Sequence, residues 1–170
     1  MREAIGTTWT YMLVAAFTLL FTGFLVITMA FTKTYKVKNE ITSIIEKYEG
    51  ITTKHYRHDE DGNRYEEKTG SLEIINNYLT SVNYTTKGFC NMDDIDNYEY
   101  YGVNNLEELK LIPINSKTKE RFYYCIGKGR RKNIIKVQVF FNFNVPILGT
   151  IGTFRIKGET NELLNMYFPE

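Results

Sequence analysis

AIGTTWTYMLVAAFTLLFTGFLVITMAFTKTYKVKNEITSIIEKYE, residues 4–49, decides how the rest of the chain is read. Residues 4–32 contain no Asp, Glu, Lys or Arg. As a helix they would span about 43 Å, more than the roughly 30 Å of a bilayer's hydrocarbon core. Trp9 and Tyr11 near one end, and Tyr35 past the other, suit the aromatic belts of two membrane interfaces. From Lys33 the pattern changes. Val37, Ile41, Ile44, Ile45 and Tyr48 fall at i, i+4, i+7, i+8 and i+11, one face of a helix. Lys36, Lys38, Asn39, Ser43, Glu46 and Lys47 occupy the opposite face. With no Pro or Gly between Gly23 and Gly50, one continuous helix is predicted, apolar all round through residue 32 and one-sided over residues 33–49. Gly50 reads as its C′ stop, and Lys47 in the last turn suits the helix dipole.

Working outward, the 170-residue chain leaves room after this run for one small domain, residues 33–170. Only Arg2 and Glu3 among the 21 basic and 20 acidic side chains precede Lys33, so that domain is close to neutral. It carries no nucleic-acid footprint. A cleaved signal peptide is the competing reading of residues 1–32, since Thr28-Met29-Ala30 offers small residues at a signal peptidase's recognition positions. The h-region of such a peptide is about 7–15 residues long, however, and this run is about twice that, which favours a retained anchor in the lipid bilayer. Lys33, Lys36 and Lys38 beyond the run would place the domain in the cytoplasm under the positive-inside rule, a rule that weakens for long domains. The cysteines point the other way, towards an extracytoplasmic domain.

Residues 52–70, TTKHYRHDEDGNRYEEKTG, read as a polar ribbon or loop, with Asp61-Gly62 as a hairpin turn and Tyr56 and Tyr65 paired across it. Ser71 reads as the N-cap of a short helix with Leu72, Ile75 and Leu79 on one face. Residues 84–105 look loop-like and acidic, residues 106–109 like a helical turn, and residues 111–114 like an edge strand, because Pro113 has no N–H to donate. The sheet is placed in residues 121–158. A short aromatic strand at residues 122–126 is followed by a turn at 127–132. Residues 135–145 form the clearest strand. Ile135, Val137, Val139, Phe141, Phe143 and Val145 take every odd position, against Lys136, Gln138, Asn142 and Asn144, so one face is buried and the other wet. Phe140 breaks the polar face. Pro146 and Gly149 end the strand, and Phe154 and Ile156 alternate with Thr153, Arg155 and Lys157 in another.

The fold class that follows is α+β: a transmembrane helix continuing as an amphipathic spine packed on a small antiparallel sheet, each burying the other's apolar face. Burial of Val37, Ile41, Ile44, Ile45 and Tyr48 is worth on the order of 10 kcal/mol gross, an upper bound because unfolded chains hide some apolar surface already.

Cys90 and Cys125 are the only cysteines. In an exported domain an even count reads as one bridge, closing a loop of about 36 residues worth about 4 kcal/mol in the chain-entropy model. The alternative is two buried thiols in a cytosolic domain. His55 and His58 beside Asp59, Glu60 and Asp61 would need a fixed turn to hold a metal, and Asp59–Asn63 does not match the spacing of a calcium loop. Lys128, Arg130, Arg131 and Lys132 read as a solvated hairpin tip, and the carboxylates of residues 93–99 as a soluble loop. No metal or cofactor site, P-loop, dinucleotide fingerprint or catalytic constellation is found, so a non-enzymatic role is expected. Helices that pack together in lipid need small residues on one face. Ala15, Thr18 and Thr22, with Gly23 beside them, offer such a path.

A short leader, a transmembrane helix continuing as a spine, and then an antiparallel sheet with one disulfide resembles the type IV pilin-like proteins. Within these the chain is similar to the TadE-like pseudopilins of tight-adherence systems. FFNFNVPILG and FRIKGET, within residues 140–160, resemble the carboxyl-terminal strands of such proteins in low-GC Gram-positive bacteria. The resemblance implies a minor pilin or pseudopilin in a surface filament or secretion apparatus, with pilin-like subunits or assembly-platform proteins as partners and Gly6 as the leader cleavage point. The family's glutamate at the fifth mature position is replaced by Tyr11. A membrane-tethered extracellular binding module, using residues 52–70 and 91–105, is the second function class.

Overall fold

A single α-helix, α1 (Arg2–Lys47), runs for 46 residues without a break. The computed structural model describes residues 2–52, 55–58, 64–67, 70–91, 95–105, 108–113, 120–129, 133–145, 149–164 and 166–167. After α1 come β1 (His55–His58), β2 (Arg64–Glu67), α2 (Ser71–Ser81), β3 (Ile95–Asn105), β4 (Glu108–Pro113), β5 (Tyr124–Gly129), β6 (Ile135–Val145) and β7 (Gly149–Glu159). Five strands form one antiparallel sheet in the order β4-β3-β5-β6-β7, while β1 and β2 pair only with each other. The fold is α+β, as the periodicities require.

The far half of α1 lies on the inner face of β6 and β7, with α2 beside it. Val37, Ile41, Ile44 and Ile45 meet Ile75 and Leu79 of α2 and Tyr124, Ile126, Ile135, Val137 and Val139 of the sheet in one core. Ile135, Val137, Val139 and Phe141, odd positions of β6, therefore point at α1, as the period-two pattern demands.

Both helices end in the same way, and α1 not with the C′ residue expected from sequence. Glu49 (φ 54°) takes the left-handed C′ position. The Glu49 N–H donates to the Glu46 carbonyl, and the Gly50 N–H donates to the Ile45 carbonyl at 2.9 Å, the two bonds of a Schellman motif. Gly50 is thus the following residue, and its reason is space. A Cβ there would lie 2.0 Å from the Tyr167 carbonyl oxygen, where the chain's tail bridges back to the helix end. Asn83 (φ 49°) repeats the arrangement after α2. At the start of α2 the N-cap is Gly70 and not Ser71. The Ser71 hydroxyl is drawn inward instead, donating to the Gly50 carbonyl and accepting from the Thr52 N–H, each at 2.9 Å.

Several expectations for the middle of the chain are corrected. Residues 95–105 are strand β3, paired on both sides by β4 and β5. Pairing with two neighbours overrides the weak strand propensity of its Asp, Asn and Gly. The expected helical turn at residues 106–109 gives way to β4, which begins at Glu108. β4 is an edge strand, and Pro113 closes it opposite Glu99. β5 starts at Tyr124, two residues later than expected, and runs through Gly127 and Lys128 to Gly129. In the β1–β2 hairpin Tyr56 faces Glu66 and Tyr65 faces Arg57, so the two tyrosines are one register position apart. The Asp61-Gly62 turn lies outside the described residues.

The outer face of the sheet is not wet throughout. Phe140 and Gln138 on it are buried, and Phe140 joins Tyr100, Ile112, Phe122 and Cys125 in a second cluster with Cys90 packed against it. Residues 84–91 cover that cluster. Gly88 and Phe122 exchange two backbone hydrogen bonds of 2.8 and 2.9 Å. A Cβ at Gly88 would stand 2.2 Å from the Phe140 ring, so glycine lets the backbone lie flat on it.

Candidate functional site

The apolar half of α1 touches almost nothing. Trp9 is 70% exposed, Leu20 74% and Met29 70%. It is the one helix among the described residues long and apolar enough to cross a membrane. So large an apolar surface needs lipid or other helices around it.

Ala15, Thr18 and Thr22 are all exposed on this segment, and no other group comes within 4 Å of a Cβ built on Gly23. The structure adds what periodicity does not specify. The Thr18 hydroxyl donates to the Val14 carbonyl and the Thr22 hydroxyl to the Thr18 carbonyl, both at 2.8 Å. Their polar groups are satisfied within the helix, so this face offers shape and methyl groups, not hydroxyl donors. Gly6 and Ala30, the two possible processing points, both belong to the unbroken α1.

Where the apolar run ends, an aromatic collar begins. Phe31 stacks on Tyr35 and meets Phe141 edge-on with ring centroids 6.0 Å apart, and Phe141 stacks on Phe154 at 5.3 Å. Phe31, Phe89, Phe140, Phe141 and Phe154 line an open cleft of about 540 Å³ with Thr153, Arg155 and Ile156. Lysines follow on the next turns of α1. Lys33 Nζ donates to the Asn83 carbonyl at 3.3 Å, and Lys38 Nζ lies 4.6 Å from the Tyr35 ring centre.

Cys90 and Cys125 are joined in a disulfide, with Cα atoms 5.9 Å apart. The bridge pins residues 84–91 to the outer face of β5. Next to it the Gln138 side chain is buried, its Oε1 accepting from the Asn91 N–H at 3.4 Å and its Nε2 without a partner among the described residues. Tyr84 fixes the same segment from the other end. Pairing of β5 with β6 stops at Tyr124 opposite Val139. Past that point the Tyr84 hydroxyl takes the missing strand's place, accepting from the Phe140 N–H at 2.9 Å and donating to the Phe140 carbonyl.

Burial pushes the Tyr84 and Tyr124 hydroxyls well above the ordinary tyrosine range. In the unfolded chain both would ionise near pH 10. Because the folded values are raised, the stability they confer is complete below about pH 10. It is lost as pH rises beyond that, by about 1.4 kcal/mol per unit for each tyrosine. Tyr84→Phe is expected to halve the part of this alkaline slope due to the pair. It should also lower stability at neutral pH by about 2–4 kcal/mol, since Phe140 keeps a buried N–H and C=O without their partner. Denaturant unfolding of the detergent-solubilised chain at pH 8 and pH 11 measures both effects. Equal stability at the two pH values would show that these hydroxyls reach water.

The side chains of His55 and His58, residues 59–63, the carboxylates of residues 93–99, and Arg130, Arg131 and Lys132 lie outside the described residues. Among the described residues no group of three or more His, Cys, Asp or Glu is placed to hold a metal ion. No protein-family model, curated protein or solved structure matches the chain.

Proposed function

We propose that the chain is a pilin-like membrane subunit, a non-enzymatic structural or assembly component of a surface filament or secretion apparatus, with its sheet domain outside the cytoplasmic membrane. One observation carries the reading: a single unbroken helix is bare and apolar through its first half and becomes the core of an antiparallel sheet domain in its second. A tether needs only to be apolar and can be joined to its cargo by any linker. A helix shared by anchor and domain fixes the domain's position relative to whatever the anchor packs against. The disulfide supports an exported domain, since such bridges persist in oxidising compartments.

In lipid, apolarity alone gives helices no reason to associate, and close approach of small residues does. Cysteines placed singly from Ala15 to Gly23 in the full chain are therefore expected to crosslink to a neighbouring subunit with helical periodicity, strongest on the face of Ala15, Thr18 and Thr22. Thr22→Leu or Gly23→Leu should abolish the crosslinks and the dependent filament or secretion activity, while the sheet domain stays folded. The separate β1–β2 hairpin, which pairs with no strand of the main sheet, favours the second reading, a membrane-tethered binding module. Absence of crosslinks at every position, with full activity after exchange for an unrelated apolar anchor, would establish that second reading.

A further inference from the structure

We propose that strands β6 and β7 make a second lipid contact, with Phe141, Phe143 and Phe154 seated at the headgroup–acyl boundary beside α1; this rests on the reading of α1 as a bilayer anchor. Three observations lead there, of which the first is level. Gly158 abuts the Lys38 stem and pairs with Val137; Phe141 abuts Phe31 and pairs with Phe154. Moving along β6 from Val137 to Phe141 thus moves back along α1 from Lys38 to Phe31, about 10 Å towards the anchor. The hairpin does not stop at Phe141. Its register continues to Val145 opposite Gly149. At the same inclination those further residues lead on towards the apolar run.

The second observation is length. A span of about 43 Å exceeds the hydrocarbon core by about 13 Å, which is about nine residues of helix. With the aromatic belts at Trp9 and Tyr11 and at Tyr35, that surplus is shared between the two ends, so that about residues 28–32, where Phe31 meets Phe141, stand in the boundary layer.

The third is chemistry. No charged residue occurs between Lys136 and Arg155. Phe154 is 49% exposed and Phe31 47%, an aromatic edge suited to the interface, where apolar rings meet polar headgroups. Lys33, Lys36 and Arg155, all exposed, stand at or just beyond it, where anionic headgroups would lie. The depth has a limit. β7 is the edge of the sheet, with no strand beyond it among the described residues, and such an edge is not tolerated in the hydrocarbon itself. The hairpin therefore seats in the boundary layer and does not span.

Trp9 is the only tryptophan, so the anchor carries its own reporter. Phe154→Trp and Phe143→Trp, each in a Trp9→Phe background, report the hairpin, and Tyr167→Trp at the far end of the domain reports water. The full chain is reconstituted in phosphatidylcholine vesicles containing lipids brominated on the acyl chain, and formation of the disulfide shows that each variant is folded. Trp9 and both hairpin tryptophans are expected to lose most of their emission to the brominated lipid, and Tyr167→Trp to lose its emission only to aqueous acrylamide. Quenching of Trp9 but not of the hairpin tryptophans would overturn the proposal and leave the anchor standing. Hairpin tryptophans shielded from both quenchers would also overturn it, and would assign that edge to a neighbouring protein chain. If Trp9 itself escapes the brominated lipid, the anchor reading falls and the second contact with it.

Discussion

Ile41→Asp is expected to unfold the sheet domain outright. Ile41 has no exposed surface and lies at the middle of the stripe that α1 presents to the sheet. The change removes an apolar side chain from the core and puts a carboxylate there without a partner, one of the few substitutions that cost more than about 4–5 kcal/mol. A domain of this size is typically stable by about 5–15 kcal/mol, so most or all of the margin is lost. Ser43→Asp, two positions away on the exposed side of the same helix, should change stability by less than about 0.5 kcal/mol. The pair separates burial from helix propensity, because both place Asp in mid-helix. Near-ultraviolet circular dichroism and protease resistance of the full chain in detergent measure the outcome. Equal tolerance of the two changes would mean that the spine does not pack on the sheet.

Cys90→Ser should lower stability by about 2–5 kcal/mol, the usual effect of removing a native disulfide from a small exported domain. The sequence separation of 35 sets the loop-closure part. The structure adds a local part. Residues 84–91 would then lose their covalent tie and be held over Phe140 by the Gly88–Phe122 bridge, the Tyr84 hydroxyl and the single hydrogen bonds of Lys87 to the Asn104 carbonyl, of the Tyr100 hydroxyl to the Cys90 carbonyl and of the Asn91 N–H to Gln138, so the second cluster should open before the spine core does. Amide hydrogen exchange would show this as earlier loss of protection in β5 than in the spine half of α1. The same cysteines test which side of the membrane the domain occupies. In intact cells a membrane-impermeant thiol reagent should label Cys90 and Cys125 only after reduction. Labelling that required permeabilised cells and no reductant would put the domain in the cytoplasm and remove the pilin-like reading.

The helix and the central strand were legible because each has one dominant period. The spacing of Val37, Ile41, Ile44 and Ile45 can be satisfied only by a helix with one buried face, and the alternation from Ile135 to Val145 only by a strand. β3 was not legible, since Ile95–Asn105 mixes Asp, Asn, Tyr and Gly without alternation and is held by neighbours on both sides. Nor was the cover on the outer face, although one signal was present. Phe140 stands on the polar face of an otherwise regular strand, and a large aromatic out of phase points to something packed above it. The bridge that holds this cover joins residues far apart in sequence, so it leaves no local pattern. The helix ends were misjudged by one residue for a related reason. Gly50 and Ser71 are each placed by contacts with distant backbone, with Tyr167 and Thr52, and not by the capping roles their residue types favour.

Between Gly23 and Gly50 the shared helix has no glycine or proline at which to bend. The domain is therefore carried on a lever arm. Its far end, where Tyr167 bridges to Gly50, stands about 27 Å along the helix from the end of the apolar run. Transmembrane helices tilt by about 20° on average, which over that arm amounts to a sideways swing of about 9 Å at the tip. On the proposed reading of α1 as a bilayer anchor, a change in its lean, imposed by bilayer thickness or by a neighbouring helix, would be delivered to the far end of the domain as a displacement of several ångströms, with no internal rearrangement of the sheet.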